Sequence, residues 1–163
     1  MSRPAIYIDA DACPVREEAY RVARRLDLAV FVVSNGSRPI RPPGLPKIET
    51  VVVGAAMDAA DDWIAAHIGA GDICVTADIP LAARCLAKGA RVVPPHGRPL
   101  TEANIGNALA GRALSRHLRE LGIAGKGPAP FAGSDRSRFL SALDAAARAA
   151  LRAYPPIAPC AST

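Results

Sequence analysis

Three aspartates of this chain stand where a predicted apolar strand gives way to a helix. Asp9 ends one strand and Asp11 follows it, while Asp78 follows a second strand predicted at 73–76. Because the carboxyl ends of parallel strands meet at one edge of a sheet, where ligands bind, these carboxylates are expected to converge. Converging carboxylates repel one another, and a hard divalent cation with oxygen ligands relieves that repulsion. The spacing therefore predicts a metal site at this sheet edge.

A predicted helix over 57–68 adds Asp58 and Asp61 to the candidate site. Residues three apart share a helical face, and like charges there destabilise the helix unless they lie in its first turn or share a cation. Carboxylates in this number suit Mg²⁺ or Mn²⁺, which activate water and stabilise charge on a transferring phosphoryl group. The predicted metal ligands are Asp9, Asp58, Asp61 and Asp78. The predicted catalytic residues are Asp9, Asp11 and Asp78, with Asp11 as a ligand or as the group that orients the attacking water.

Helix capping is the competing explanation for all of these acids. An aspartate just before a helix accepts backbone N–H bonds, and its charge interacts favourably with the helix dipole. The same explanation covers acids in the first turn of a helix. Capping and metal binding are compatible in one residue, so both interpretations stay open.

Two polar residues at other strand ends are candidate substrate contacts. Asn35 follows the predicted strand 28–33, within a Ser-Asn-Gly-Ser sequence that is also ordinary turn chemistry. His96 follows the strand predicted at 90–93 and is the one histidine expected near the site. Cys13 lies beside the acidic pair, but no histidine is close in sequence, which disfavours a nucleophilic role.

Basic residues are concentrated in the C-terminal part of the chain. The net charge is +5 over 163 residues, and most of that excess falls after residue 100. An acidic cluster beside a basic region suits a polyanionic partner such as RNA, although an arginine-rich solvated surface explains the charge equally simply. One helical stripe contains Arg112, Arg116 and Arg119. It could bind the phosphates of a nucleic acid, or it could be a helix face exposed to solvent. Lys126 and Arg136 complete the basic candidates for substrate binding.

The pattern of elements predicts an α/β fold, with three α/β/α layers around a central, mainly parallel sheet. Apolar strands alternate with amphipathic helices as far as residue 93. The predicted strands are 5–9, 28–33, 48–53, 73–76 and 90–93, and the predicted helices between them are 14–26, 57–68 and 79–88. A helical part follows over about 101–153, with one helix at 101–121 that has Gly106 and Gly111 as candidate breaks, and another at 134–153. We expect a single domain over 1–153 and a disordered tail at 154–163.

Composition narrows the class of protein further. Hydrophobic residues make up 50% of the chain, which argues against disorder, and no run is long enough to predict a membrane span. No basic-then-apolar leader pattern opens the sequence, and the four cysteines have no zinc-ligand spacing. We therefore expect a cytoplasmic protein with no membrane partner. Assembly into a homo-oligomer stays open.

Several segments together resemble the bacterial YaiI/YqxD family. The matching stretches are Asp-Ala-Asp-Ala-Cys-Pro at 9–14, Asp-Ala-Ala-Asp at 58–61, Gly-Asp-Ile-Cys-Val-Thr-Ala-Asp-Ile-Pro-Leu-Ala-Ala at 71–83, Gly-Lys-Gly-Pro at 125–128, and Asp135-Arg136 with Phe139. These stretches are spread over most of the chain, so the likeness is not confined to one motif.

That family in turn resembles the PIN-like nucleases, in which acids end the first strand and lie on a central helix, and a Thr-x-Asp motif ends the fourth strand. The resemblance implies a metal-dependent ribonuclease with Mg²⁺ or Mn²⁺ held by Asp9, by Asp58 or Asp61, and by Asp78. Two departures stand out. The helical acid is an aspartate where glutamate is common, and His96 replaces an arginine usual in the family, which would make phosphate binding there dependent on pH.

Two other classes of function stay open. In a phosphatase similar to the haloacid dehalogenases, Asp9 would be the nucleophile, Asp11 the acid and base, and Ser34 a phosphate contact. Asp72 precedes its strand, whereas that family places its late acids after one, which counts against this reading. A non-catalytic nucleic-acid-binding or regulatory module of the same fold is the other alternative.

Overall fold

The computed structural model describes residues 3–37, 39–122 and 131–153. The strands are β1 (Ala5–Asp9), β2 (Ala29–Ser34), β3 (Ile48–Val52), β4 (Ile73–Val75) and β5 (Arg91–Val92). The helices are α1 (Arg16–Leu26), α2 (Ala59–His67), α3 (Ile79–Ala87), α4 (Glu102–Glu120) and α5 (Gly133–Ala153), with a short 3₁₀ helix at Ala10–Ala12. The tail predicted at 154–163 lies outside the described residues.

The five strands form one sheet in the order β3-β2-β1-β4-β5, and every pair of neighbours is parallel. β1 is central, with β2 on one side and β4 on the other. The chain first builds outward from β1 through β2 to β3 and then returns to the other side of β1 as β4. The boundary between β1 and β4 is therefore the point at which the strand order reverses, and ligands bind at such points in open α/β sheets.

Helices cover both faces of the sheet because apolar side chains alternate along the strands. On β1, Ile6 and Ile8 face a core that includes residues of α1 and α5, whereas Tyr7 faces a second core built with α2 and α3. Successive strand residues point to opposite faces, so a strand covered on both sides is apolar throughout. The predicted three-layer α/β/α fold with a parallel sheet is confirmed.

α4 is one continuous helix, so the breaks suggested for Gly106 and Gly111 do not occur. Thr101 and Asn104 form a reciprocal capping box at its N-terminus. α4 packs against α3, and none of its residues is buried. At such exposed positions a helical glycine costs about 1 kcal/mol relative to alanine, which a capped helix tolerates.

The segment between β1 and α1 differs from its prediction. α1 begins at Arg16 rather than at Pro14, because residues 10–12 form the 3₁₀ helix and Val15 takes the N-cap position. The extra turn displaces the start of α1 from the strand end. It also reorients the carboxylate of Asp11, as the contacts below show.

Gly97 fixes the loop after β5 against α5. Its backbone has φ +81°, a left-handed conformation that favours glycine. A Cβ atom added there would lie 2.6 Å from the carbonyl carbon of Arg138 and 2.6 Å from the nitrogen of Phe139. The loop and the helix backbone therefore touch at a point where no side chain fits.

None of the helices within the described ranges has the length and apolar character needed to cross a membrane.

Candidate functional site

The candidate site lies at the carboxyl ends of β1, β2 and β4. Asp9 is the last residue of β1, Ser34 is the last residue of β2, and Thr76 directly follows β4. Asp11 and Asp78 stand two residues beyond Asp9 and Thr76. All five side chains are thus carried by strand ends at one edge of the sheet, next to the point where the strand order reverses.

A buried hydroxyl links the ends of β1 and β4. Thr76 Oγ1 donates to Asp9 Oδ2 at 3.0 Å and accepts the backbone N–H of Asp78 at 3.0 Å. Asp78 Oδ1 accepts the N–H of Leu81 at 2.9 Å, which caps α3. The capping interpretation is correct for Asp78, and its second carboxylate oxygen takes no part in the cap.

A second hydroxyl links Asp11 to the end of β2. Ser34 Oγ donates to Asp11 Oδ1 at 3.0 Å, and the backbone N–H of Asn35 donates to Asp11 Oδ2 at 3.2 Å. The capping interpretation is therefore wrong for Asp11, since the 3₁₀ helix turns its carboxylate toward the neighbouring strand rather than toward α1. It is also wrong for Asp9, whose side chain makes no capping hydrogen bond.

The two predicted helical acids lie at the start of α2. Asp58 occupies the N-cap position without a side-chain capping bond, and Asp61 is in the first turn. Partial burial, followed by the charges of Asp78, Asp9 and Asp58, raises the pKa of Asp61 to about 6. The charges of Asp78 and Asp9, at the strand ends, thus act on Asp61 at the start of α2. A shared metal site for these acids stays a prediction.

The pKa of Asp9 is also raised. Burial is the largest cause, and the charges of Asp11 and Asp78 add to it, while the hydrogen bond from Thr76 acts in the opposite direction. The charge of Arg84 lowers the pKa of Asp61, but the guanidinium of Arg84 pairs with Asp62, 2.8 Å from its Oδ1. The acidic group is thus only weakly neutralised by the protein itself.

The donor set suits a hard divalent ion, because carboxylate and hydroxyl oxygens are the ligands such ions prefer. Mutual repulsion among Asp9, Asp61 and Asp78 is the interaction that such an ion would relieve. In the part of the chain that the structure describes, however, no three His, Cys, Asp or Glu side chains converge closely enough to hold a metal ion. Binding would require carboxylates to turn from their present rotamers toward a common point.

The polar substrate candidates have local partners. Asn35 Oδ1 accepts the N–H of Ser37 at 2.9 Å, which confirms the turn interpretation of this sequence. His96 Nδ1 accepts the N–H of Arg98 at 3.2 Å. Burial and the charges of Arg98 and Arg138 lower the pKa of His96, which favours its neutral form at pH 7.

The basic candidates fall into two groups. Arg136 Nη1 donates to the carbonyl oxygen of Pro14 at 2.9 Å, so the structure brings it to the segment that follows Asp11. Arg112 and Arg119 are exposed on α4, and no hydrogen bond or salt bridge between described residues ties them to the acids. Lys126 lies outside the described residues.

Cys13 has no sign of a reactive thiol. Burial is the main cause that raises its pKa to about 11, so the thiol stays protonated near neutral pH. This agrees with the expectation that Cys13 is not a nucleophile.

Sequence reasoning missed Thr76 as a functional position and gave Ser34 only a secondary role. Both hydroxyls are almost completely buried, at 2% and 1% exposure, and both hold an aspartate. One feature of the sequence could have indicated both residues. Each is a hydroxyl residue at the end of an apolar strand, next to the strand that Asp9 ends. Asp72, considered as a late phosphatase acid, instead accepts the N–H of Ala5 at the start of β1 and so lies at the opposite edge.

The raised pKa of Asp61 predicts how stability changes with pH when no divalent ion is present. In the unfolded chain this carboxyl has its ordinary pKa of 3.8. Between about pH 4 and 6 the unfolded state therefore releases a proton that the folded state retains, so the free energy of unfolding falls as the pH rises. Since the side chain is partly exposed, screening limits this fall to about 1 kcal/mol.

Urea unfolding in the presence of a chelator, at a series of pH values, measures this contribution. Asp61→Asn should show a smaller fall, to which only the raised pKa of Asp9 still contributes. Asp62→Asn should retain the whole fall, because Asp62 makes a surface ion pair with Arg84. Identical pH profiles for wild type and Asp61→Asn would show that Asp61 is not coupled to the other acids.

Comparison with known proteins identifies a family for this chain but indicates no activity. A family described as uncharacterised, the YaiI/YqxD family, matches residues 7–149. A UPF0178 protein of Rhodospirillum centenum is 60% identical over 151 residues, which cover 90% of this chain and 97% of the relative. UPF0178 proteins of Rhodospirillum rubrum and Caulobacter vibrioides are 56% and 54% identical, covering 90% and 92% of this chain and 97% of each relative. No solved structure matches the chain.

Proposed function

Because the chain belongs to the YaiI/YqxD family, whose description states no activity, we propose a function from the site itself: metal-dependent hydrolysis of phosphodiester bonds in RNA. Mg²⁺ or Mn²⁺ is the proposed cofactor. The proposal concerns the edge of the sheet at which β1, β2 and β4 end.

The observation that carries the proposal is that Asp9 and Asp78 stand at the ends of the neighbouring strands β1 and β4, joined through the buried hydroxyl of Thr76. Electrostatic coupling to Asp61 supports it. Asp61 has its pKa raised to about 6, and after partial burial the charges of Asp78 and Asp9 are the largest causes. Such repulsion destabilises the folded protein unless a cation compensates it. Perturbed carboxylates at a point of strand reversal are typical of functional sites rather than of structural ones.

The proposed ligands are Asp9, Asp61 and Asp78, with Asp58 beside them on the exposed start of α2. A divalent ion bound there would activate water and neutralise charge on the phosphoryl oxygens. Thr76 keeps Asp9 oriented by donating to one of its oxygens. The cap of Asp78 uses Oδ1 and leaves Oδ2 for the ion.

Asp11 has a different part in this proposal. Its two oxygens already accept hydrogen bonds from Ser34 and from the backbone of Asn35. We therefore assign it as a positioning residue that holds the end of β2 against the end of β1, rather than as a ligand.

RNA is the favoured substrate because the protein carries a net charge of +5 while its candidate site is acidic. A basic surface attracts a polyanion, and an acidic site needs a cation to admit it. Arg136, which contacts the carbonyl of Pro14 near Asp11, is a candidate phosphate contact in this arrangement.

The proposal predicts both metal binding and metal-dependent cleavage in the same preparation. Calorimetric titration with Mn²⁺ and with Mg²⁺ measures binding, and a labelled single-stranded RNA reports cleavage with each metal and with a chelator. We expect binding, cleavage in the presence of metal, and no cleavage with the chelator. Absence of metal binding would refute the proposal, and so would cleavage that persists in the chelator.

One observation favours a second candidate function. Within the described ranges, no three potential ligands converge closely enough to hold a metal ion. A nucleic-acid-binding module without catalysis would have this property. It would bind the labelled RNA, as fluorescence anisotropy would show, without cleaving it under any metal condition.

A further inference from the structure

Two adjoining cavities lie between the start of α1 and the proline-rich loop 39–44. The inner cavity, of about 470 Å³, is lined by Asp11, Arg16 and Ile40 among others. The outer cavity, of about 410 Å³, is lined by Arg16, Ile40 and Arg41 among others. Arg16 and Ile40 line both cavities, which therefore adjoin, and we call the two together the α1 groove.

We propose that the α1 groove binds single-stranded RNA beside the scissile phosphodiester, with Arg16 and Arg41 on successive backbone phosphates. This inference rests on the proposed function, since the RNA strand it holds is the substrate of the acidic site. It adds a binding surface and two arginines that the sequence did not single out.

The groove opens at the acids. Asp11 and Ala10 line its inner cavity, and they directly follow Asp9, the last residue of β1. A strand that enters along the outer cavity would pass Arg41, then Arg16, and then reach the carboxylates. The two arginines thus precede Asp11 along the groove, and Asp11 stands two residues from the proposed ligand Asp9.

The two arginines are available for phosphates. No salt bridge joins either guanidinium to a carboxylate of the described residues. Arg16 is also the first residue of α1, where the helix dipole disfavours a cation, so its presence does not stabilise the helix. A guanidinium presents paired donors that match two oxygens of one phosphate.

The remaining walls of the groove suit the apolar parts of a nucleotide. Pro14, Pro39 and Ile40 line the inner cavity, and Pro42 and Pro43 line the outer one. Each cavity falls within the roughly 300–1,000 Å³ of small-molecule pockets. The groove therefore has room for about one nucleotide in each cavity. Prolines restrict the unbound loop, which lowers the entropy lost when a strand is bound.

Glu17 also lines the outer cavity and is the one wall residue there that repels phosphate. Its carboxylate is exposed, so solvent and salt screen it. In the outer cavity one exposed acid stands against two arginines, which favours an anionic ligand. The acid of the inner cavity, Asp11, already accepts hydrogen bonds on both oxygens, from Ser34 and from the backbone of Asn35.

The test compares Arg16→Ala and Arg41→Ala with Arg21→Ala, a matched control on α1 that is exposed and lines neither cavity. Fluorescence anisotropy with a fluorescein-labelled oligouridylate, in a chelator so that no cleavage occurs, gives the affinity. We expect each groove variant to bind about tenfold more weakly, as the loss of one charged hydrogen bond implies. The slope of log affinity against log salt should decrease by about 0.7 for each arginine removed.

Unchanged affinity in both groove variants would overturn the inference, as would an equal loss in Arg21→Ala or a wild type that does not bind the oligouridylate. Equal affinity for an oligodeoxythymidylate would overturn the assignment of RNA as the ligand. The proposed function can fail separately. If the groove variants lose binding as expected but the wild type never cleaves RNA with any metal, the groove is retained and the catalytic assignment is wrong.

Discussion

Replacing Asp9 by asparagine is expected to reduce metal-dependent cleavage of RNA by about a thousandfold, which corresponds to about 4 kcal/mol in the activation barrier. Asp9 ends the central strand, and its charge acts on both Asp61 and the metal that the site is proposed to hold. Asparagine has the same shape, and its amide oxygen can still accept the hydrogen bond from Thr76. Cleavage rates at saturating Mn²⁺ measure the effect.

The matched control for this prediction is Asp62→Asn. Asp62 adjoins Asp61 in the first turn of α2 but pairs with Arg84 at the surface. Its substitution should leave cleavage unchanged and alter the free energy of unfolding by less than about 1 kcal/mol. Asp9→Asn should be at least as stable as the wild type, because one repelling charge is removed. Wild-type cleavage by Asp9→Asn would show that the strand-end acids are not the catalytic centre.

Replacing Gly97 by alanine is expected to lower the free energy of unfolding by about 3 kcal/mol. About 1–2 kcal/mol arises from the left-handed backbone, since φ is +81°. The rest arises from overpacking, because the new Cβ would lie 2.6 Å from backbone atoms of Arg138 and Phe139, which cannot move without shifting α5. Urea unfolding followed by circular dichroism measures the difference.

Gly106→Ala is the control for Gly97→Ala. Gly106 lies in α4, and nothing is within 4 Å of an added Cβ. Alanine there should stabilise the protein by about 0.5–1 kcal/mol, because it has the higher helix propensity. If Gly97→Ala were as stable as the wild type, the contact between the loop after β5 and α5 would be wrong.

The sheet, and the positions of Asp9 and Asp78 at neighbouring strand ends, follow from local patterns. Apolar strands separated by amphipathic helices predict parallel pairing, and parallel pairing places the end of β1 beside the end of β4. That reasoning located Asp9 and Asp78 without any tertiary information. Asp61 was predicted as a candidate ligand from its position on a predicted helix. Its electrostatic coupling to the strand-end acids depends on how α2 packs, which the sequence does not indicate.

The partners of Asp11 were beyond such reasoning. No pattern in the sequence predicts the 3₁₀ helix before α1. That helix determines whether the carboxylate of Asp11 caps α1 or accepts hydrogen bonds from the end of β2. The role inferred for Arg16 depends likewise on where the loop 39–44 lies, since one wall of the groove comes from each segment. Contacts between segments that are distant in sequence have no local periodicity from which to predict them.

The position of α5 has a consequence for synthesis on the ribosome. Phe139 and Leu143 are completely buried in the core that also contains Ile6 and Ile8 of the first strand. All five strands emerge before this helix, so during translation one face of the sheet remains an exposed apolar surface that α1 covers only in part. A chain released before α5 should therefore be a substrate for chaperones and proteases, rather than persist as a folded fragment.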